Sequence, residues 1–200
     1  MRSYHPLMSV AVAGVCILGF FSGCAKAPDQ ELAAAKAAMK TAQDAEADKY
    51  LPNNFENIQK AMEAAESEIG LQETKLAFSR NYTKAKQLLK NVTDLARQVT
   101  ADAPGAKEEM RTRVEEGIAS AQKMAKETRV DIKKAPKAKG KKVLAQMAAD
   151  LDEAENATAQ AAADLSAGNI PDAGKKLGDA QRLLKKIFDK LSSSGADRLM

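Results

Sequence analysis

The chain is poor in the residues that build reactive centres. Its 200 residues include one histidine, two cysteines and no tryptophan, and aromatic residues make up only 4% of them. Structural zinc sites use Cys and His ligands, and serine or cysteine nucleophiles are activated by a histidine. A c-type haem needs a Cys-x-x-Cys-His motif, which the sequence lacks. We therefore expect no metal, no cofactor and no catalytic residue of these kinds.

Glycine and proline are scarce as well, with 11 and 6 residues. Few turn formers and few aromatic residues argue against a β-sandwich or a β-barrel, which are built from many short strands. The 31 basic and 27 acidic residues give a net charge of +4, so no nucleic-acid partner is expected. The abundant residues are Ala, Lys, Glu, Gln and Leu, which favour helix. The composition predicts an all-α protein.

The first two dozen residues have the layout of a secretory signal peptide. Arg2 supplies a positive charge, residues 7–21 form an apolar run, and the small residues Ser22 and Gly23 follow. The run is shorter than the roughly 20 residues that a membrane-spanning helix needs. We expect residues 1–23 to be removed, which also removes His5 and Cys16.

The end of this segment resembles a lipoprotein processing site. Phe21-Ser22-Gly23-Cys24 is similar to the lipobox of bacterial lipoproteins, although Phe21 stands where Leu is usual. The resemblance implies cleavage after Gly23 and lipidation of Cys24, which would anchor the chain to a membrane. Two or more acyl chains hold a protein stably on a bilayer. By analogy with Gram-negative sorting, Ala25 favours the outer membrane, with the protein facing the periplasm.

The rest of the chain has apolar residues spaced alternately by three and four, the heptad-like pattern of packed helices. Short turns between helices predict an elongated antiparallel bundle. We expect a tether over 24–29, a first three-helix unit over 30–102, a second over 106–192 and a flexible tail over 193–200. The six helices are predicted at 30–48, 54–79, 82–101, 106–133, 141–166 and 170–192.

The two units look related at an offset of about 88 residues. Asn81 then matches Asn169, and Ala85 matches Ala173. A duplication would explain these matches, but heptad patterning also produces such matches between unrelated helices. Both interpretations stay open.

The chain also resembles a protein family. Cys24, the Ala-rich segment 32–47, the break Tyr50-Leu51-Pro52 and the segment 61–96 are similar to alanine-rich bacterial envelope lipoproteins with a helical domain of unknown function. Leu51 stands where Ala is commoner in that family. The resemblance covers mainly residues 24–100. It implies a helical envelope protein and supplies no activity.

One cluster of charge is a candidate contact surface. It could bind an anionic lipid, lipopolysaccharide, a cell-wall polymer or an acidic partner, and the alternative is a solvated loop kept extended by like charges. No aromatic residue interleaves the cluster, as nucleic-acid stacking would need. It consists of Lys133, Lys134, Lys137, Lys139, Lys141 and Lys142.

These features predict a non-enzymatic, membrane-anchored lipoprotein of the bacterial envelope that acts as a helical scaffold, spacer or partner-binding module. The alternative is a periplasmic carrier or chaperone that binds hydrophobic ligands through a helical groove. Self-association through the Ala-rich seams is also possible. Carboxylate pairs such as Glu63 with Glu66 and Asp152 with Glu155 favour a solvated helix face over a carboxylate-based hydrolase.

Overall fold

The computed structural model describes residues 26–135 and 140–196, with side chains up to 192. Within these ranges the chain is built from helices joined by short turns and loops and contains no strand, which confirms the predicted all-α bundle. A single 3₁₀ turn, Ala77–Ser79, lies between the third and fourth helices. The helices are α1 (Asp29–Asp44), α2 (Ala47–Tyr50), α3 (Pro52–Glu73), α4 (Thr83–Lys134), α5 (Lys141–Ser166) and α6 (Ile170–Ala196).

Helix α4 is the organising element of the fold. Its N-terminal half packs against α1 and α3, and its C-terminal half packs against α5 and α6. Each half has its own apolar core: Ile58 and Leu89 are buried in the first, and Leu151 and Ile187 in the second. The described helices therefore pack around two apolar cores, and α4 contributes to both.

The helix break predicted at 103–105 is wrong. Helix α4 continues through Pro104, although proline cannot donate the helical hydrogen bond to the Thr100 carbonyl. Pro104 and Gly105 are exposed, so that side of the helix faces water, while Ala103 is buried in the first core. Packing on both sides of this point outweighs the local cost, which is about 3 kcal/mol for a proline inside a helix.

Other predicted boundaries also shift. Helix α3 ends at Glu73 rather than at 79, which leaves Leu76 exposed although the apolar pattern placed it in the core. Helix α1 ends at Asp44, and a short helix, α2, follows it. The backbone of α6 remains helical through Ala196, where a flexible tail was expected from residue 193. The last four residues lie outside the described part of the chain.

The predicted apolar stripes otherwise form the two cores. The spacing of three and four places one face of each helix against its neighbours, as expected for packed helices. Predicted stripe positions that are buried include Ala35, Ala42, Phe55, Ile58, Met62, Ala65, Ile69, Tyr82, Ala85, Leu89, Val92, Ala96, Val99, Val114, Ile118, Ala121, Ala125, Met147, Leu151, Ala154, Ala161, Ile170, Ala173, Leu177, Ala180, Leu184 and Ile187.

Positions that the repeat hypothesis pairs also have similar burial. Ala85 and Ala173 are both fully buried, and the residues that follow the two matching asparagines, Tyr82 and Ile170, are buried as well. Each of these positions lies in the first turn of the helix that closes its bundle or just before it. The two bundles thus use equivalent hairpins, α3–α4 and α5–α6.

Two ion pairs show how α1 and α4 run relative to each other. Glu31 pairs with Lys86 at 2.8 Å and Glu46 with Lys107 at 2.6 Å, so α1 and α4 run parallel. The described chain therefore begins at the same end as the loop between α3 and α4. At 1.5 Å per residue, the 52-residue helix α4 spans about 78 Å from that end to the other.

Candidate functional site

The predicted lipidation residue Cys24 and the cleavage residue Gly23 lie outside the described residues. The described chain starts at Lys26, and Pro28 is already buried. Ala27 packs against the first core, and α1 begins at Asp29. The predicted tether is therefore shorter than 24–29, because its last residues belong to the bundle.

The lysine cluster flanks the loop between α4 and α5. Lys133 and Lys134 are the last two residues of α4, and Lys141 and Lys142 are the first two of α5. The other two predicted members, Lys137 and Lys139, lie outside the described residues. The four that are described come from two helix ends that meet at the far end of the second bundle.

These four lysines are exposed. Among the described residues, none of them has a carboxylate oxygen within 4.0 Å. Positive charge at a helix C-terminus is favourable, but Lys141 and Lys142 stand at the N-terminus of α5, where the helix dipole disfavours it. The α5 lysines therefore do not stabilise their own helix, and their charge is available to an external anion.

A buried carboxylate connects α5 to α6 near the lysine cluster. Asp150 on α5 is only 4% exposed, and it accepts a hydrogen bond of 2.9 Å from Gln146. Lys186 on α6 lies 3.0 Å from its other oxygen, and Lys190 lies at 3.7 Å. The Gln146 hydrogen bond and the neighbouring lysines hold the pKa of Asp150 below its usual value. This cluster links α5 to α6 and has the character of a structural ion pair.

Arg129 joins α4 to α5 in a similar way. Its guanidinium donates two hydrogen bonds to Glu155, of 3.1 and 2.6 Å, and one to Asp152, of 2.7 Å. These carboxylates raise the pKa of Arg129. The other carboxylate pair considered above is also engaged in part, because Glu66 pairs with Lys36 at 2.9 Å. The acidic side chains thus meet lysines and arginines instead of converging on one another.

A groove between α4 and α6 was not anticipated from the sequence. It has a volume of about 490 Å³, and its apolar wall includes Met124 and Phe188. Phe188 is 63% exposed, since Leu184 and Ile187 already fill the buried side of α6. Polar residues, among them Glu127, Thr128, Asp131 and Lys185, complete the lining. An aromatic residue beside a completed apolar stripe was the signal that could have indicated this groove.

Within the described residues, no group of three or more His, Cys, Asp or Glu side chains is arranged to hold a metal ion. None of the described helices is long and apolar enough to cross a bilayer. No protein-family model, no curated protein and no solved structure matches this chain. The candidate surfaces therefore have to be interpreted from their own chemistry.

Proposed function

We propose that this protein is a non-enzymatic lipoprotein of the bacterial cell envelope that holds a charged contact surface at a fixed distance from its membrane. Cys24 is the anchor, and the outer membrane facing the periplasm is the proposed location because Ala25 follows Cys24. The chain would act as a helical spacer or scaffold for a partner in the envelope.

The observation that carries this proposal is the continuity of α4. The helix joins both bundles, so its two ends are separated by about 78 Å without an intervening linker. The end near Thr83 is also where the described chain begins, two residues after Cys24. The opposite end presents Lys133, Lys134, Lys141 and Lys142. A rigid connection between an anchor and a charged surface is what a spacer requires.

The partner proposed for the lysine end is an anionic polymer or an acidic envelope protein. A lysine near an anionic surface contributes about 1 kcal/mol at low ionic strength. Lysines on two different helix ends present their charge over an area rather than at one point. This favours an extended anion over a small one.

The anchor is tested with Cys24→Ser in the full-length chain, followed by membrane fractionation and intact-mass measurement. We expect the wild-type mature protein to carry an acylated Cys24 and to fractionate with the membrane, while the variant does not. Wild-type protein with an unmodified thiol at Cys24 would refute the anchoring.

The α4–α6 groove supports a second candidate, a carrier that binds a hydrophobic ligand. Phe188 and Met124 offer an apolar wall beside polar side chains, the usual composition of a small-molecule site. This candidate predicts that a hydrophobic dye binds the folded, delipidated protein and that Phe188→Gln abolishes the binding. The matched control is Val143→Gln, which removes an exposed apolar side chain of α5 that does not line the groove. Equal dye binding by both variants would exclude the groove as the site.

A further inference from the structure

The loop between α3 and α4, residues 74–82, displays two large apolar side chains to solvent. Leu76 is 68% exposed and Phe78 is 81% exposed. Leu71, in the last turns of α3, is also exposed. All three side chains belong to the end of α3 and the loop that follows it, at one end of the first bundle, and we refer to them as the loop patch. Clustered exposed apolar residues of this kind are characteristic of contact sites.

Hydrogen bonds hold this loop in place. Arg80 donates from Nε to the Lys75 carbonyl and from Nη2 to the Glu73 carbonyl, both at 3.0 Å. The side-chain oxygen of Gln72 accepts a hydrogen bond from the Asn81 backbone N–H, also at 3.0 Å. Gln72 is in turn bonded to the buried Glu68 at 2.7 Å. Leu76 and Phe78 are therefore presented by an ordered loop.

The equivalent hairpin of the second bundle shows that such a loop is not needed for the connection. Between α5 and α6 the chain reverses in residues 167–169, with Gly168 at a φ of +83°. The Asn169 N–H then donates to the Asp164 carbonyl at 2.8 Å. The first hairpin uses residues 74–82 for the same reversal, and the longer loop contains the exposed Leu76 and Phe78.

The loop patch lies at the end where the chain approaches Cys24. Glu31 in the first turn of α1 pairs with Lys86 in the first turn of α4, and Glu68 of α3 pairs with Lys84 at 2.7 Å. The starts of α1 and α4 are therefore level with the end of α3. Cys24 precedes Lys26 by two residues in the sequence, and two residues of extended chain span at most about 7 Å.

We propose that the loop patch is a second membrane contact: Leu76 and Phe78 enter the boundary between headgroups and acyl chains of the bilayer in which Cys24 is anchored. This inference rests on the proposed anchoring. Apolar side chains gain free energy in this boundary, and aromatic rings favour it. Two contacts at one end would set the angle at which α4 leaves the membrane, which a flexible lipid anchor alone cannot do.

The bilayer is favoured over a second copy of the chain because of where the patch lies. An anchor within reach of Lys26 brings the membrane surface to this end of every molecule, whereas a second copy would have to compete with that surface. Basic and acidic residues nearly balance at this end of the bundle: Lys75, Arg80 and Lys84 stand against Glu68 and Glu73, and Lys84 pairs with Glu68. The contact is therefore expected to depend on apolar area and not on the charge of the lipid.

The absence of tryptophan permits a direct test. Phe78→Trp and Phe188→Trp each introduce a single tryptophan at an exposed phenylalanine, at opposite ends of α4. The lipidated variants are reconstituted into phosphatidylcholine vesicles that contain lipids brominated near the headgroup end of the acyl chain. The brominated lipids should reduce the emission of the tryptophan at position 78 and shift it to shorter wavelength, and they should leave the emission of the one at 188 unchanged.

The outcomes separate this proposal from the anchoring. Intact mass first establishes whether Cys24 is acylated, and an unmodified thiol refutes the anchoring itself. If Cys24 is acylated and the tryptophan at 78 is not quenched, the second contact is refuted and the anchor stands. Quenching at 188 without quenching at 78 refutes the second contact as well.

A second copy is tested with the Cys24→Ser form of the Phe78→Trp variant, without vesicles. A blue-shifted emission that appears together with a dimer in sedimentation would assign the loop patch to self-association and overturn the proposal. A monomer whose tryptophan emits as in water supports it.

Discussion

Gly117 on α4 packs against Leu177 on α6 so closely that a Cβ atom at position 117 would lie 2.5 Å from the Leu177 Cδ2 atom. Two carbon atoms that are not bonded to each other do not come this close. The absence of a side chain at Gly117 therefore lets α4 and α6 approach each other. Leu177 is itself buried in the second core. This contact helps to set the spacing between α4 and α6, and therefore the width of the groove along them.

Replacing this glycine should loosen the second bundle. In Gly117→Ala, the buried Leu177 side chain has to move, and overpacking costs about 1–3 kcal/mol, which cancels or exceeds the gain of about 1 kcal/mol from helix propensity. In the control, Gly178→Ala on α6, the new Cβ meets nothing within 4 Å, so only the propensity gain remains. Urea unfolding followed by circular dichroism should place Gly178→Ala above wild type and Gly117→Ala clearly below Gly178→Ala. Equal stabilities of the two variants would contradict the close packing.

Pro104 offers a test of the continuity of α4. In Pro104→Ala the backbone regains the donor for the Thr100 carbonyl, and the free energy of unfolding should rise by up to about 3 kcal/mol. Pro171→Ala is the control, because Pro171 lies in the first turn of α6, where no helical donor is needed. If α4 were broken at 103–105, Pro104→Ala would change the stability as little as Pro171→Ala does.

Acid should weaken the junction between the bundles through Glu46. Hydrogen bonds from Lys107 and Lys49 lower the pKa of Glu46 from 4.5 to about 2. Because the pKa is lower in the folded state, this stabilisation is fully present above pH 4.5 and is lost as the pH falls through about 2. Glu46→Gln should therefore have a flatter dependence of unfolding free energy on pH in that window.

The control for this experiment is Glu63→Gln, which removes the carboxylate of an exposed glutamate on α3. Denaturant unfolding at several pH values measures both variants against wild type. A Glu46→Gln profile that follows wild type throughout the window would mean that the contacts with Lys107 and Lys49 do not form in solution.

The lysine cluster is tested with a change of all four described members to glutamine. This variant should bind a sulfated polysaccharide, used as a model polyanion, more weakly by up to about 1 kcal/mol per lysine at low salt. Its binding should also depend less on salt than that of wild type. The control replaces Lys40, Lys60, Lys90 and Lys175, which pair with acidic residues of their own helices and give the same net charge. Equal losses in both variants would refute a specific surface.

Local pattern was enough to predict the helical class and most of the buried positions. The alternation of three and four places Leu89, Val92 and Leu184 on a buried face regardless of which helix covers them. The turn at 167–169 was also predictable, because Gly168 provides the positive φ that ends α5. Both features depend on residues close together in the sequence.

The sequence-based predictions fail where contacts between residues far apart in the sequence determine the structure. Pro104 and Gly105 are strong local signals for a break, but packing on both sides of this position keeps α4 continuous. The end of α3 at Glu73 has no glycine or proline directly after it and is fixed by Arg80, which bonds to the carbonyl of Glu73 from seven residues away. The α4–α6 groove likewise depends on which helix faces Phe188.

Because α4 is unbroken, a tilt at one end of the helix is transmitted to the other end as a larger displacement. Over its roughly 78 Å, a change of about 10° in the angle at the Thr83 end would move the Lys134 end by about 14 Å. The side chains at the Thr83 end would thereby determine how far from the membrane the lysines at the opposite end can make contacts. Small substitutions in the 74–82 loop would then redirect the opposite end without altering a single residue there.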